Sequence, residues 1–501
     1  GSLFRKKKYM MRFFYALLTL CFSLSLQAEG GYKISVSVEG FAEQEAYLGY
    51  HFGDKQYIQD TVKVSNGDFV FEGDEPLAGG LYLIILPPDN NYFQIIVNDQ
   101  EQQFSVKTKV DDLNQALVVK GSADNELFLN YLGYLGSRRP QADALSAKIR
   151  EANENGDEAA QKQYQEELEK INAEVLDFQQ KLIADHPQSL TAAIIRANLS
   201  LDIPQFEGKD ADLQHWLYTK QHLFDNNFMS DPRFLRSPVQ YSKFVYYIQK
   251  LSVQHPDSLI RSIDYVLDLV KPSEETFKFY LIHFLNTYAK SKIIGMDAIY
   301  VHLVEKYYAT GMAPWTEEEQ LTNIVDNAKT LKPLLIGKTA PDLNCRVFDL
   351  EGSLTVKDSE NIHQRFKTKG KKALHEVEAD YTILFIWAPD CGHCKKAMPK
   401  MIEFYNKFKP EGVEIYAICS KFVNGIPECT SFIDERRGML DWINVIDPYH
   451  ESKYKEIYDV RSTPQLYVLD KNKEIVLKRI GTEQLPEVMR DLIGRAKELE
   501  D

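Results

Sequence analysis

The sequence of 501 residues predicts a multidomain chain: an N-terminal antiparallel β-sandwich, an α-helical middle domain and a C-terminal α/β domain. Three observations carry this. The length exceeds what one hydrophobic core usually serves. The apolar periodicity changes twice, from alternation to helical spacing near Asp124, and to interleaved strand and helix segments from Ile336. Hydrophobic and aromatic contents of 44% and 12% suffice for packed cores, which excludes a globally disordered chain.

Residues 31–122 carry the β pattern. Tyr32–Val38 alternates with period two, as a strand with one buried face does. Asp60–Val64, the turn Ser65-Asn66-Gly67-Asp68 and Phe69–Phe71 predict a hairpin, since Asn-Gly suits a type I′ turn. Leu81–Leu86, Phe93–Val97 and Gln103–Lys107 continue the series, and short strands at regular spacing predict a sandwich or small barrel. Residues 123–332 are helical in pattern. Leu145–Ile183 predicts a solvated helical hairpin broken at Asn155-Gly156, and His186-Pro187 and His255-Pro256 each close one helical run before the next. Phe244–Val253, Leu259–Val270, Glu274–Ala289 and Met296–Tyr308 carry apolar residues at helical spacing. The scattered His215, His222, His283 and His302 form no motif tied to chemistry.

Residues 336–501 alternate strand and helix, the α/β signature. Ile383–Ala388 predicts a buried central strand, a helix begins at Cys391, and Val413–Cys419 predicts the next strand. A helix is expected over Ser431–Arg437. Gln465–Leu469 and Glu474–Lys478 predict an antiparallel hairpin, and Leu485–Leu499 a closing amphipathic helix.

At the N-terminus, Arg5, Lys6, Lys7, Lys8 and Arg12 precede the uncharged run Phe13–Leu26, and Ala28 follows. A positive start, an apolar core and a small residue predict a signal peptide over residues 1–28 and export to the periplasm or cell envelope. A retained anchor is disfavoured, because a spanning helix needs about 20 apolar residues. Of the six cysteines, Cys21 lies in this segment; Cys345, Cys391, Cys394, Cys419 and Cys429 remain. So few in an exported chain of this size indicate specific redox work rather than a disulfide scaffold. The net charge of −14 argues against nucleic acid as a partner.

Cys391-Gly392-His393-Cys394 follows a buried strand and opens a helix. A helix start leaves N–H groups unsatisfied and carries partial positive charge, which stabilises the thiolate needed for disulfide exchange. Cys391 is therefore the expected attacking thiol and Cys394, one turn deeper, the resolving thiol. His393 adds positive charge or accepts a hydrogen bond, which favours the dithiol and makes the pair more oxidising. A zinc pair needs a second close pair that Cys419 and Cys429 do not supply. A static disulfide closing so short a loop contributes little. Cys419 and Cys429 admit two readings, a second disulfide or relay to the dithiol, and a pair of buried small side chains.

Phe385-Ile386-Trp387-Ala388-Pro389-Asp390-Cys391-Gly392-His393-Cys394-Lys395 resembles the active-site segment of thioredoxins. Pro399 matches the proline of the active-site helix, and Thr463-Pro464 matches the cis-proline loop. Ile336–Leu343 resembles the opening of the TlpA-like branch of exported thiol–disulfide oxidoreductases. The resemblance implies an α/β thioredoxin fold for residues 336–501, a catalytic role for Pro464 beside Cys391, His393 and Cys394, and substrate contacts from Trp387, Pro389 and Thr463. It also implies disulfide-containing client proteins, a membrane electron donor and no bound cofactor, since the cysteines carry the electrons. The front half resembles, more loosely, the N-terminal regions of Bacteroidetes thioredoxin-like proteins, and that resemblance implies no activity. Two departures stand out: Phe385 and Ala397 occupy positions where relatives carry an acid that moves protons at the resolving thiol. Ala388 and Leu384 do not fit the peroxiredoxin pattern of Thr or Ser and Pro at those places. The expected function is reduction or isomerisation of protein disulfides. The alternative is a ligand-binding or assembly protein with a redox-sensitive thioredoxin-like domain.

Overall fold

The computed structural model describes residues 30–225, 229–348 and 368–500. The expected signal peptide lies outside the described residues. The chain divides into two compact units, one running through Ser252 with Tyr265–Phe279 added, the other Val253–Asp264 with Tyr280–Asp501. The division passes through two helices, Pro256–Val270 and Glu274–Ala289, within the stretch expected as one helical domain.

The first unit opens with two four-stranded sheets. One has the order β4-β1-β7-β8, from Asp68–Gly73, Tyr32–Glu39, Gln103–Lys109 and Val118–Lys120. The other has the order β3-β2-β5-β6, from Lys55–Lys63, Glu45–Phe52, Gly80–Leu86 and Asn91–Val97. Alternating residues such as Ile34, Val36, Leu48, Phe71, Ile84 and Phe93 form the core between them, as period-two patterning requires. The pairs are antiparallel except β1 with β7, which is parallel.

The Asn66-Gly67 turn has both residues at positive φ, 53° and 83°, as a type I′ turn needs. The predicted hairpin does not form. Only the Ser65–Asp68 bridge closes across the turn, while β3 pairs with β2 and β4 with β1 in the other sheet. The turn is a corner between sheets. A Cβ on Gly67 would stand 2.3 Å from the Val38 carbonyl oxygen, so glycine is needed there for space as well as for φ.

Helices α1 (Ala123–Glu154) and α2 (Glu158–Asp185) make the expected hairpin, with Gly156 at φ 70° in the break. Ser122 caps α1 by accepting from Asn125 N–H at 3.2 Å. Further along, α3 (Leu190–Asn198), α4 (Ala211–His222), α5 (Pro238–Gln249), α6 (Pro256–Val270) and α7 (Glu274–Ala289) follow. In the second unit α8 (Asp297–Leu303) runs into a π-helical turn, Val304–Tyr308, and α9 (Glu318–Leu331) comes next. Of the histidines, His302 is bound structurally: its Nε2 lies 2.9 Å from an Asp264 carboxylate oxygen, which Tyr307 and Lys306 also engage.

The α/β region of the second unit is a seven-stranded sheet of order β10-β9-β13-β12-β11-β14-β15. The strands are β9 (Asn344–Phe348), β10 (Thr368–Ala373), β11 (Tyr381–Trp387), β12 (Val413–Cys419), β13 (Ile443–Ile446), β14 (Gln465–Asp470) and β15 (Ile475–Lys478). β11, β12 and β13 run parallel, and β14 and β15 form the predicted antiparallel hairpin. β11 is buried on both faces, which is why its sequence is a continuous apolar run. The helices are α10 (Gly392–Phe408), α11 (Ile426–Asp434), α12 (Tyr454–Ile457) and α13 (Leu485–Glu500). Met398, Met401 and Phe404 of α10 pack on one face of the sheet with Ile383 and Phe385; Leu384, Ile386 and Tyr416 pack on the other.

Lys478 is 4% exposed, and its ammonium donates to the Leu334 carbonyl at 2.6 Å and pairs with Asp297. This ties the end of β15 to α8 and to the entry segment at Leu334. Truncation leaves Asp297 without its cation and a carbonyl without its donor. Lys478→Ala is expected to destabilise the protein by about 3 kcal/mol, seen as a lower urea midpoint.

Candidate active site

The site grows from the carboxyl end of β11. Trp387 ends the strand, Ala388-Pro389-Asp390 turns the chain, and Cys391 is the N-cap of α10. The Cys391 sulfur accepts from the Cys394 N–H at 3.3 Å, taking the place of a capping oxygen. It also lies 3.2 Å from the Thr463 carbonyl, to which the thiol donates. Cys391 is half-buried, and Cys394 is fully buried with its sulfur accepting from Ala388 N–H at 3.5 Å. Cys391 and Cys394 are free thiols, as is the buried Cys345.

Burial raises the Cys391 pKa, but hydrogen bonds from the Cys394 and Thr463 side chains and from the backbone N–H groups of Cys394 and His393 outweigh it. The Cys391 thiol is held below its ordinary value. Cys394 goes the other way: burial, then the neighbouring Cys391, push it up to about 11. The half-buried Cys391 is thus the more readily ionised of the two thiols, and the buried Cys394 the less. The Thr463-Pro464 bond is cis.

The structure brings Cys391, His393, Cys394, Thr463 and Pro464 to one end of the sheet. His393 is exposed, Thr463 and Pro464 are half-buried, and Pro389 is buried. Trp387, expected to contact substrate, is 1% exposed and packs against Phe432 with ring centroids 4.8 Å apart. Phe385 and Ala397, which stand in place of an acid near the resolving thiol, are buried apolar residues.

Cys419 and Cys429 form a disulfide with Cα atoms 6.3 Å apart, the pairing that the first reading allowed. The helix carrying Cys429 starts at Ile426, not at Ser431, so this cysteine lies inside α11 rather than before it. Pro427 in the first turn is the signal that marks the earlier start. The disulfide brackets a group that sequence reasoning missed. Lys421 pairs with Asp390, next to Cys391, at 2.7 Å and with Glu428 at 3.2 Å. The Lys421 ammonium, bonded to the carboxylate, holds the Asp390 pKa below the ordinary range. Nothing local in the sequence ties these three together; the parallel register of β11 and β12, with Trp387 opposite Cys419 and Ser420 N–H donating to the Trp387 carbonyl, places Lys421 near Asp390.

Residues 336–478 match the AhpC/TSA family. A thiol-disulfide oxidoreductase ResA of Bacillus cereus is 30% identical over 146 residues, 29% of this chain and 70% of the relative. The chain belongs to the thioredoxin-like thiol-disulfide oxidoreductases. The ResA of Halalkalibacterium halodurans is 32% identical over 130 residues, 24% of this chain and 66% of that one. Among solved structures, a domain of a possible thiol-disulfide isomerase from Cytophaga hutchinsonii is 34% identical, covering 34% of this chain and 97% of that one, with a TM-score of 0.26. Residues 32–128 and 156–331 match two domains of unknown function.

Proposed function

We propose that the protein is an exported enzyme that reduces or isomerises disulfides in client proteins. The observation that supports this best is the half-buried, acidified Cys391 sulfur at a helix start, 3.2 Å from the cis-proline loop. In the reductive direction the Cys391 thiolate attacks one sulfur of a client disulfide. A mixed disulfide forms, and the other client sulfur leaves as a thiolate and takes up a proton. Cys394 then loses its proton and attacks the Cys391 sulfur. The second client sulfur is released, and the two electrons of the dithiol have passed to the client, leaving Cys391–Cys394 oxidised. Isomerisation is the same first step followed by attack of a second client thiol. Its product is a rearranged client and a regenerated dithiol.

A stabilised thiolate favours the reduced enzyme and so raises the potential of the pair. Turnover as a reductant then calls for re-reduction, and a membrane electron donor is the proposed source. Export rests on the N-terminal charge and apolar pattern. Insulin reduction and recovery of scrambled ribonuclease, run in parallel, separate the two activities. Activity in neither assay contradicts the reading. Sequencing the N-terminus of protein from the cell envelope tests export, with cleavage after Ala28 expected and a retained leader in the cytoplasm contradicting it.

A further inference from the structure

A cleft of about 250 Å³ opens beside the cis-proline loop, lined by Asp459, Arg461, Pro464, Gln465, Arg479 and Ile480 among others. Two guanidinium groups share a single carboxylate there. Arg461 Nε and an Arg479 terminal nitrogen reach opposite oxygens of Asp459 at 2.8 and 2.9 Å. Asp459 is largely buried, whereas Arg461 and Arg479 are 71% and 47% exposed. Arg461 also donates to the Asn327 side-chain oxygen at 3.2 Å, which holds it at the mouth of the cleft. Each guanidinium has five N–H donors, so these bonds leave donors to spare, and the three groups sum to one positive charge. That surplus sits in a chain of net charge −14.

We infer that this cleft is a specificity subsite for an acidic side chain on the client polypeptide, close in sequence to the client's reactive cysteine. The inference rests on the proposed action on protein disulfides. Pro464 borders the cleft and follows Thr463, whose carbonyl marks where the attacking sulfur sits. An extended chain advances about 3.3 Å per residue, so a client segment lying along residues 461–464 places its residue two or three from the cysteine beside Arg461. A carboxylate there meets the planar donor edges that arginine presents to carboxylates. Asp459 sets the orientation of both arginines.

The test uses two disulfide-linked peptides that differ only by Glu or Gln two residues from the cysteine. The readout is the ratio of their kcat/KM values with the full-length protein. Because it is a ratio on one enzyme preparation, changes in folding or in Cys391 reactivity cancel. The wild-type protein should prefer the Glu peptide by roughly threefold to tenfold at low salt, with the preference shrinking as salt screens the charges. Arg461→Ala and Arg479→Ala should each bring the ratio towards one, and Arg461→Lys should retain part of it. Equal rates in the wild type, or an unchanged ratio in both alanine variants, overturn the inference while leaving the oxidoreductase reading intact. Reduction of neither peptide overturns that reading and this one with it.

Discussion

Cys391→Ser is expected to lower the kcat/KM for client disulfides by on the order of a thousandfold or more. A serine hydroxyl stays protonated where the thiol ionises, and it cannot form a disulfide. The fold should survive, because serine is a good N-cap and keeps an acceptor for the Cys394 N–H. The companion variant, Cys394→Ser, retains the attacking thiol and loses the resolving one. It should accumulate a covalent enzyme–client species that runs as a band of higher mass on a non-reducing gel and disappears with reductant. Full activity in Cys391→Ser, or no trapped species in Cys394→Ser, contradicts the assignment of roles.

Removing the Cys419–Cys429 disulfide is expected to have the next largest effect. Cys419 and Cys429 are ten apart and both fully buried, so their link closes a short loop and anchors α11 to the end of β12. In the chain-entropy account a loop of that length contributes about 2.5 kcal/mol. Replacing both cysteines with alanine should lower the unfolding free energy by that order, visible in the urea midpoint. The loss should reach the active site as well. The loop carries Lys421, which neutralises Asp390 beside Cys391. An unpaired Asp390 carboxylate disfavours the thiolate and raises the Cys391 pKa, so reactivity at neutral pH should fall. Asp390 is exposed, which limits the change to roughly threefold. Lys421→Met, with the disulfide intact, should reproduce the change in reactivity without the loss of stability.

The fold was legible where the pattern is dictated by burial. β11 is apolar throughout because both of its faces are covered, and the dithiol stands out because a strand runs directly into a helix start. What escaped was set by distant partners. Asn66-Gly67 forms the turn its chemistry demands, yet the flanking strands diverge because each finds a better partner in a different sheet. The pairing of Cys419 with Cys429 was one of two open readings, and α11 begins at Ile426, five residues before the expected Ser431. Arg461 and Arg479 sit on separate segments with a shared partner, Asp459, and no spacing rule joins them. Trp387 carries the motif's aromatic residue, but Phe432 covers it, and only the packed structure reveals that.

Alkylation of the reduced protein by iodoacetamide as a function of pH tests the central claim most directly. Cys394 and Cys345 are buried with pKa values pushed up to about 11, so Cys391 is the thiol expected to react below that. As pH rises through the Cys391 pKa its thiolate fraction grows and the rate climbs to a plateau. The account predicts a single midpoint below that of a free cysteine thiol in an unstructured peptide measured alongside. A midpoint at or above that value, or modification of Cys391 only after unfolding, would contradict it.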